Sequence, residues 1–277
     1  MADIAPPEQR PRLLGLLGAA FGVGFVLGPA IGGLAALGGP HVPFYVAGVL
    51  ATINAIATMV RLPETRRDVD RHVPGVHVPH APILRRLAIV GFITVFSFTA
   101  FEATFSLFGQ RRFDLTESST SVVFLVIGVV LVVMQGGLYH VLAAKAGAGR
   151  LYLAAVLLTA VGLGLTGAAT HWPVLILALL FLGLGQGLAN PAITTLVTQH
   201  ASPQRRGEAL GFQQSAYAVA RILGPPSAGA MFDHAGIWTP YVVAAGLCVV
   251  GALLITGWGI ERPLAADAPS DRPSHAI

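Results

Sequence analysis

Charged residues are scarce in this sequence: they make up 11% of its 277 residues, whereas soluble globular domains carry roughly 25%. Hydrophobic residues make up 54%, which is more apolar surface than a soluble chain of this length is able to bury. The same excess excludes intrinsic disorder, because disordered chains have low hydrophobicity. The net charge of +4 is small and spread along the chain, which argues against nucleic-acid binding. The composition therefore indicates an integral membrane protein.

Cysteine and lysine are nearly absent. Cys248 is the only cysteine, which excludes intramolecular disulfides and Cys-x-x-Cys metal or redox sites. Lys145 is the only lysine, and no Gly-Lys-Ser/Thr P-loop, His-Glu-x-x-His or Gly-x-Ser-x-Gly motif occurs. A dinucleotide-like pattern, Gly162-x-Gly164-x-x-Gly167, lies inside an apolar run without a preceding strand, so we interpret it as helix packing. We expect no enzyme activity, no metal and no cofactor.

Long apolar runs are abundant and divide the chain into candidate membrane spans, since roughly 20 apolar helical residues cross a bilayer. Eight spans are predicted: Leu13–Leu37, Val42–Val60, Leu87–Gly109, Ser121–Ala143, Leu151–Thr170, Pro173–Thr198, Ala209–Phe232 and Ile237–Ile260. Basic residues concentrate in one alternate set of loops, so the positive-inside rule predicts that both termini are cytoplasmic. The 16 arginines with abundant Ala and Gly are typical of a GC-rich bacterial gene. We therefore expect a multi-pass protein of the bacterial inner membrane.

An internal repeat appears at an offset of 196 residues, the separation of Gly28 from Gly224. This offset superposes Gly28-Pro29 on Gly224-Pro225, and Gly33 on Gly229. Each copy has a Gly-rich span, a short loop, a Pro-aromatic entry and a further apolar span. Both copies run in the same direction, which indicates a parallel repeat about an axis along the membrane normal.

The first span carries a specific glycine pattern, Gly15-x8-Gly24-x3-Gly28-Pro29-x2-Gly32-Gly33. It resembles, with every spacing kept, the antiporter motif in the fifth helix of drug:proton antiporters of the major facilitator superfamily. The segments Gly183–Pro191, Arg206–Ser215 and Arg221–Pro225 resemble the family's tenth and eleventh helices, closest to the tetracycline-efflux-like branch. The resemblance covers nearly all of residues 2–262.

The resemblance implies an all-α polytopic membrane helix bundle with a partial major facilitator fold, equivalent to helices five to twelve of twelve. Residues 1–63 are then the last two helices of the N-terminal half, 64–83 a cytoplasmic linker, 84–260 the C-terminal six-helix bundle, and 261–277 a disordered cytoplasmic tail. Two explanations for the four missing helices stay open: a true start further upstream, or a truncated gene. If those helices are encoded separately, they are an expected partner.

The motif glycines Gly24, Gly28 and Gly32 are four residues apart, so on a helix they form one stripe where another backbone approaches closely. Pro29 removes a backbone hydrogen bond and is able to kink the span. Ordinary close packing is the alternative interpretation of this stripe. In the family, the stripe packs between the two halves and keeps the protein leak-tight. The resemblance implies that Gly224 and Gly229 face the family's second helix.

Only two charged residues lie deep inside predicted spans, Glu102 and Arg221. Such groups are costly in hydrocarbon and usually face a cavity or a partner. By resemblance Glu102 belongs to the seventh helix, which lines the central cavity, so it is a candidate for binding a proton or a cationic substrate. The alternative is that Glu102, which lies near the outside end of its span and is flanked by Phe101 and Phe105, snorkels or caps a packing contact. Arg221 precedes the Gly224-Pro225 element, which favours a structural role at a helix interface.

A polar stripe runs along the tenth-helix equivalent, because Gln186, Asn190 and Thr194 are spaced at i, i+4 and i+8. A water-filled cavity and interhelical hydrogen bonds explain it equally well. Five further polar residues are weaker candidates of the same kind: Gln135, Gln213, Gln214, Ser215 and Tyr217.

Three hypotheses for function follow. The first is a secondary active transporter that exports small amphipathic compounds or drugs in exchange for protons, by alternating access in the lipid bilayer. The second is a transporter of a sugar or another metabolite. The third is a truncated, non-transporting membrane fragment, because a cavity lined by two six-helix halves needs both halves to close.

Overall fold

The computed structural model describes residues 41–61, 82–201 and 205–260, with scattered positions between 24 and 39. All regular structure in these ranges is helical. The helices are α1 (Val42–Arg61), α2 (Pro82–Phe113), α3 (Glu117–Val133), α4 (Tyr139–Ala146), α5 (Ala148–Ala168), α6 (Trp172–His200), α7 (Arg206–His234) and α8 (Thr239–Gly257). A π-helical turn, Met134–Leu138, joins α3 to α4 without a break.

The predicted all-α membrane fold is confirmed. Among the described residues, five helices are long and apolar enough to cross a membrane: α1, α2, α5, α6 and α8. A shorter apolar segment, Ser119–Leu131, lies within α3. α7 is long enough at 29 residues, but it is not among the five, because polar residues interrupt its apolar sequence. Most of the predicted first span, the predicted linker and the predicted tail lie outside the described residues.

The helices from α2 to α8 share one hydrophobic core. α5 packs most closely on α6, α2 packs on α7, and α8 lies against both α5 and α2. α3 packs on α6 and reaches α2 through aromatic contacts, in which Phe124 meets Phe101 and Phe105 edge to face. α2 therefore packs against several neighbouring helices, and it carries Glu102.

Glycines bring α5 into close contact with its neighbours. A β-carbon added at Gly162 would lie 2.8 Å from the backbone nitrogen of Leu182 and 2.9 Å from the carbonyl oxygen of Ala178. A β-carbon at Gly167 would lie 3.3 Å from the carbonyl oxygen of Trp238, just before α8. Small residues permit such backbone approach in membrane helices. The dinucleotide-like pattern is thus helix packing, as the sequence indicated.

The turn between α4 and α5 is shorter than expected. The sequence places an internal loop from Lys145 to Arg150, whereas α4 ends at Ala146 and α5 begins at Ala148. Gly147 alone makes the turn, with φ of 81°, a backbone conformation that favours glycine because it has no β-carbon. Lys145, on α4, and Arg150, on α5, consequently lie on either side of the tight turn.

α1 differs from the other helices in burial. None of its side chains is buried, and large apolar residues such as Phe44 and Met59 are 75% and 84% exposed. The side chains of the other long helices are packed into the shared core. The assignment of α1 to a separate half of the protein stays a prediction.

Candidate functional site

Glu102 lies on α2 beside an aromatic cluster but outside it. Phe101 and Phe105 are fully buried, and their ring centroids are 4.8 Å apart. Phe108 and Tyr241 extend the cluster, with centroids 5.0 Å apart. Glu102 is only half-buried. The rings therefore pack on each other and on α3 and α8, while the carboxylate emerges from another side of the helix.

Arg221 lies on α7, opposite Glu102. Its side chain is exposed on the bundle surface, and its guanidinium is near enough to attract the Glu102 carboxylate electrostatically. The helices approach closely beside the two charges, because a β-carbon at Gly224 would collide with the hydroxyl of Thr99. Thr99 precedes Glu102 by three residues, and Gly224 follows Arg221 by three. Glu102 and Arg221, the two charges that the sequence singled out, are therefore near enough to attract each other across the α2–α7 contact.

Two prolines interrupt the backbone of α7 immediately after this point. Pro225 and Pro226 have no amide hydrogen to donate, so the carbonyls four residues earlier, at Arg221 and Ile222, lose their α-helical partners. Both of those residues are exposed. Within a membrane, backbone groups without helical partners are tolerated where they lie against protein or line a wet cavity. The bundle thus offers two hydrogen-bond acceptors beside Arg221.

Tyr217 anchors α7 against α2 one turn before Arg221. Its hydroxyl accepts a hydrogen bond of 2.8 Å from Nε2 of Gln213, and both side chains are buried. Its ring fills the space beside Gly91, where an added β-carbon would lie 2.8 Å from Cε1 of Tyr217 and 2.9 Å from Cδ1 of Ile193. Three helices, α2, α6 and α7, therefore meet at Gly91.

Buried tyrosines on α5 and α8 form hydrogen bonds with α2, and these residues were not among the sequence-predicted candidates. The Tyr152 hydroxyl on α5 is 3.0 Å from Oγ1 of Thr94, and Thr104 donates a 3.1 Å hydrogen bond to the Tyr241 hydroxyl on α8. Ser97 donates to the carbonyl of Ala244 over 3.1 Å. The signal lay in α2 itself, where five small hydroxyl residues recur in a largely apolar and aromatic span: Thr94, Ser97, Thr99, Thr104 and Ser106. A buried hydroxyl needs a partner.

The predicted polar stripe on α6 has two parts. Gln186 is buried and donates a hydrogen bond of 3.4 Å to Oγ1 of Thr159 on α5, so it faces the neighbouring helix. Asn190 and Thr194 are exposed. The interpretation as an interhelical hydrogen bond therefore fits Gln186. Asn190 and Thr194 are accessible, which is what the interpretation as a cavity lining requires. Among the weaker candidates, Gln214 and Ser215 are exposed and Gln135 is half-buried.

The antiporter-motif glycines are described only in part, because Gly15, Pro29 and Gly33 lie outside the described residues. Gly24 and Gly28 are exposed and Gly32 is half-buried. At all three, a β-carbon would meet no heavy atom within 4 Å in the part of the chain that the structure describes. These three glycines therefore have open space beside them among the described residues.

The repeat-related glycines on α7 depart from the expected arrangement. Gly224 was expected to face the family's second helix, but it packs within the bundle on Thr99 and Phe96 of α2. A side chain at this position would separate α2 from α7, which explains the glycine without any other helix. At Gly229 a β-carbon would meet none of the described atoms within 4 Å, and Pro225 is exposed, so the contact of Gly229 with the family's second helix stays a prediction.

This arrangement combines apolar helices of spanning length with one carboxylate on α2 and one guanidinium on α7. Such groups inside membrane segments usually mark paths for ions or substrates. The class defined by the fold and the site is a multi-pass membrane protein with a polar site between helices.

Comparison with known proteins supports this class. The sequence model of the Major Facilitator Superfamily matches residues 1–142 and again 136–276. The chain belongs to the Major Facilitator Superfamily. The family and the relatives described below are transporters, not enzymes.

Individual relatives cover almost the whole chain. It is 27% identical over 277 residues to Multidrug resistance protein 2 of Bacillus subtilis, covering 96% of this chain and 69% of that protein. It is 25% identical to the class H tetracycline resistance protein of Pasteurella multocida, covering 99% and 71%. The crystal structure of the human organic anion transporter MFSD10 superposes with a TM-score of 0.69 at 25% identity, covering 92% and 65%. The chain thus spans about two thirds of the length of these relatives.

Proposed function

We propose that this chain serves proton-coupled export of small amphipathic compounds by alternating access. The observation that carries the proposal is Glu102, a half-buried carboxylate on the apolar helix α2 that the Arg221 guanidinium on α7 attracts electrostatically. Charges at this depth are costly and are retained where they bind or relay something. Among the relatives are proteins named for multidrug, quinolone and tetracycline resistance, which supports small amphipathic compounds as the substrate class.

In the proposed cycle Glu102 holds the transported proton. A substrate with a positive group binds next to the ionised carboxylate, and protonation of the carboxylate removes that attraction and releases the substrate. The proton and the substrate therefore compete for one group, which is the requirement for exchange. A ligand shifts the balance between inward-facing and outward-facing states only through its differential affinity for them. The pH gradient and the membrane potential drive the cycle.

The test is solute export by proteoliposomes that contain the purified protein and carry an imposed pH gradient. The parent should move a panel of amphipathic dyes with a rate that depends on the gradient. Glu102→Gln should abolish this dependence, whereas Asp233→Asn, at the exposed far end of α7, should leave it intact. Solute movement that ignores the gradient in the parent would favour the metabolite-transporter hypothesis. Absence of any movement would favour a fragment that does not transport by itself.

We propose further that both termini are cytoplasmic in a bacterial inner membrane, as the arginine distribution predicts. Cys248 is the only cysteine and is fully buried, so the native chain gives little background with thiol reagents. In intact cells, a membrane-impermeant maleimide should label Asp114→Cys, between α2 and α3, and should not label Lys145→Cys, beside the α4–α5 turn. The reverse pattern would invert the proposed orientation.

The open glycine stripe is proposed to have the family's antiporter role. Gly24, Gly28 and Gly32 leave room for another backbone, which is what a sealing contact between helices requires. Gly28→Leu should then increase passive proton leak through proteoliposomes without lowering the amount of folded protein. Unchanged leak would make the stripe an ordinary feature of the surface.

A further inference from the structure

Glu102 and Arg221 form a pair of opposite charges whose separation is held by the fold. The contact of Gly224 with Thr99 fixes the distance between α2 and α7 three residues from each charge. Tyr217, seated against Gly91 and oriented by Gln213, fixes the same two helices one turn further along. The site therefore presents a negative and a positive group at a set spacing.

The surroundings add acceptors on one side of this pair. The carbonyls of Arg221 and Ile222 lack helical partners because Pro225 and Pro226 follow them. A carbonyl acceptor without a partner attracts a hydrogen-bond donor, and an ammonium group offers up to three. Glu102 and these carbonyls together suit a cation, while the Arg221 guanidinium suits a carboxylate, which it is able to hold with two hydrogen bonds.

The buried titratable side chains in these helices add no formal charge to the Glu102–Arg221 pair. The titratable groups inside the packed parts of α7 and α5 include Tyr217 and Tyr152, both buried and both engaged in hydrogen bonds. On α8 they are Tyr241 and Cys248, which are also buried. These are neutral as phenols and thiol. The two formal charges at this depth are consequently those of Glu102 and Arg221.

We propose that the Glu102–Arg221 pair binds amphoteric organic molecules that carry one carboxylate and one amine. The substrate carboxylate binds the Arg221 guanidinium, and the substrate ammonium binds the Glu102 carboxylate and the freed carbonyls of α7. This rests on the proposed transport function and narrows its substrate class. A molecule with only a positive group would meet repulsion from Arg221, and one with only a negative group would meet repulsion from ionised Glu102.

Three chemical forms of one fluorescent probe test the proposal. The first is a quinolone with a free carboxylate and a piperazine amine, the second is its methyl ester, and the third is its N-acetyl derivative. Binding to the purified protein in lipid nanodiscs is measured by fluorescence without any gradient. The amphoteric form should bind at least about tenfold more tightly than either blocked form, since a hydrogen bond to a charged group contributes at least that much.

Variants assign each end of the probe. Arg221→Gln should lower affinity for the amphoteric form about tenfold and should not lower affinity for the ester, because the variant no longer repels its amine. Glu102→Gln should lower affinity for the amphoteric form about tenfold and should not lower affinity for the N-acetyl form, because the variant no longer repels its carboxylate. Arg150→Gln and Asp233→Asn, both exposed and outside the site, are matched controls and should bind all three forms as the parent does.

Several results would overturn the proposal. They are equal affinity for the three forms, no binding of any form, or a loss in Arg221→Gln that is as large for the ester as for the amphoteric quinolone. Because binding is measured without a gradient, this outcome is separate from the transport test. Gradient-driven export with equal binding of the three forms would refute the amphoteric site alone, and selective binding without export would refute the transport function alone.

Discussion

Two glycine-lined contacts in this bundle look alike and differ in what surrounds them. At the α5–α6 contact, a β-carbon on Gly185 would lie 2.8 Å from both the carbonyl oxygen of Ala155 and the backbone nitrogen of Thr159. At the α2–α7 contact, Gly224 leaves equally little room beside Thr99. The α5–α6 contact is surrounded by apolar residues and by the Gln186–Thr159 hydrogen bond, while Glu102 and Arg221 flank the α2–α7 contact.

This difference separates a contact that serves as scaffold, between α5 and α6, from a contact beside the candidate site, between α2 and α7. Close packing along uncharged surfaces gives a contact with one good arrangement, because well-packed interfaces resist small displacements. Charges and freed carbonyls beside a close contact cost stability unless they bind something, so they mark the place where function is concentrated. Substitutions in α5–α6 should therefore change folding, and those in α2–α7 should change transport.

The largest effect is expected for Gly185→Leu. The new side chain has no space against the α5 backbone, so the helices must separate, and overpacking of this kind costs about 1–3 kcal/mol or more. Thermal unfolding in detergent should show a lower midpoint or no folded fraction. Gly164→Ala is the matched control on α5, because its β-carbon would be 3.9 Å from Ala245, an ordinary contact. Equal unfolding midpoints for Gly185→Leu and Gly164→Ala would contradict the prediction that close packing at the α5–α6 contact stabilises the fold.

A smaller effect on stability and a larger one on transport are expected for Gly224→Ala. The methyl group collides with the Thr99 hydroxyl, which shifts α7 away from α2 and changes the spacing of Glu102 and Arg221. Export rate and probe affinity should fall several-fold while the variant still folds. Gly229→Ala, on the same helix with open space around it, should match the parent. Loss of folding without a change in export per folded molecule would assign Gly224 to the scaffold.

The sequence predicted the helices better than their contacts. Apolar runs fix where a helix spans, so the described spans agree with the helices to within a few residues, and Glu102 and Arg221 were recognised from charge alone. The contact of Gly224 with Thr99 was not predicted, because a glycine reports that something approaches closely and does not report which helix. The Thr94–Tyr152 hydrogen bond joins residues 58 positions apart. No local pattern contains that pairing.

Thr94→Val should have a moderate effect on stability. It removes the hydrogen-bond partner of the fully buried Tyr152 hydroxyl without changing the volume of the side chain. An unsatisfied buried hydroxyl costs about 1–3 kcal/mol. Denaturation should show this loss, and Tyr152→Phe in the same background should recover most of it, since both partners are then apolar. A double variant no more stable than Thr94→Val would show that the pair contributes little.

The smallest effect is expected for Gln186→Met. Gln186 lies on the scaffold side of the comparison, and its hydrogen bond to Thr159 is long at 3.4 Å, while Thr159 keeps a 2.9 Å bond to the Ala155 carbonyl. Interhelical hydrogen bonds in membranes contribute only about 0.6 kcal/mol on average. Unfolding and gradient-driven export should both stay close to the parent's values. A tenfold loss of export in a normally folded Gln186→Met protein would instead extend the transport path from α2 and α7 to the α5–α6 contact, because removal of a scaffold hydrogen bond does not change export selectively.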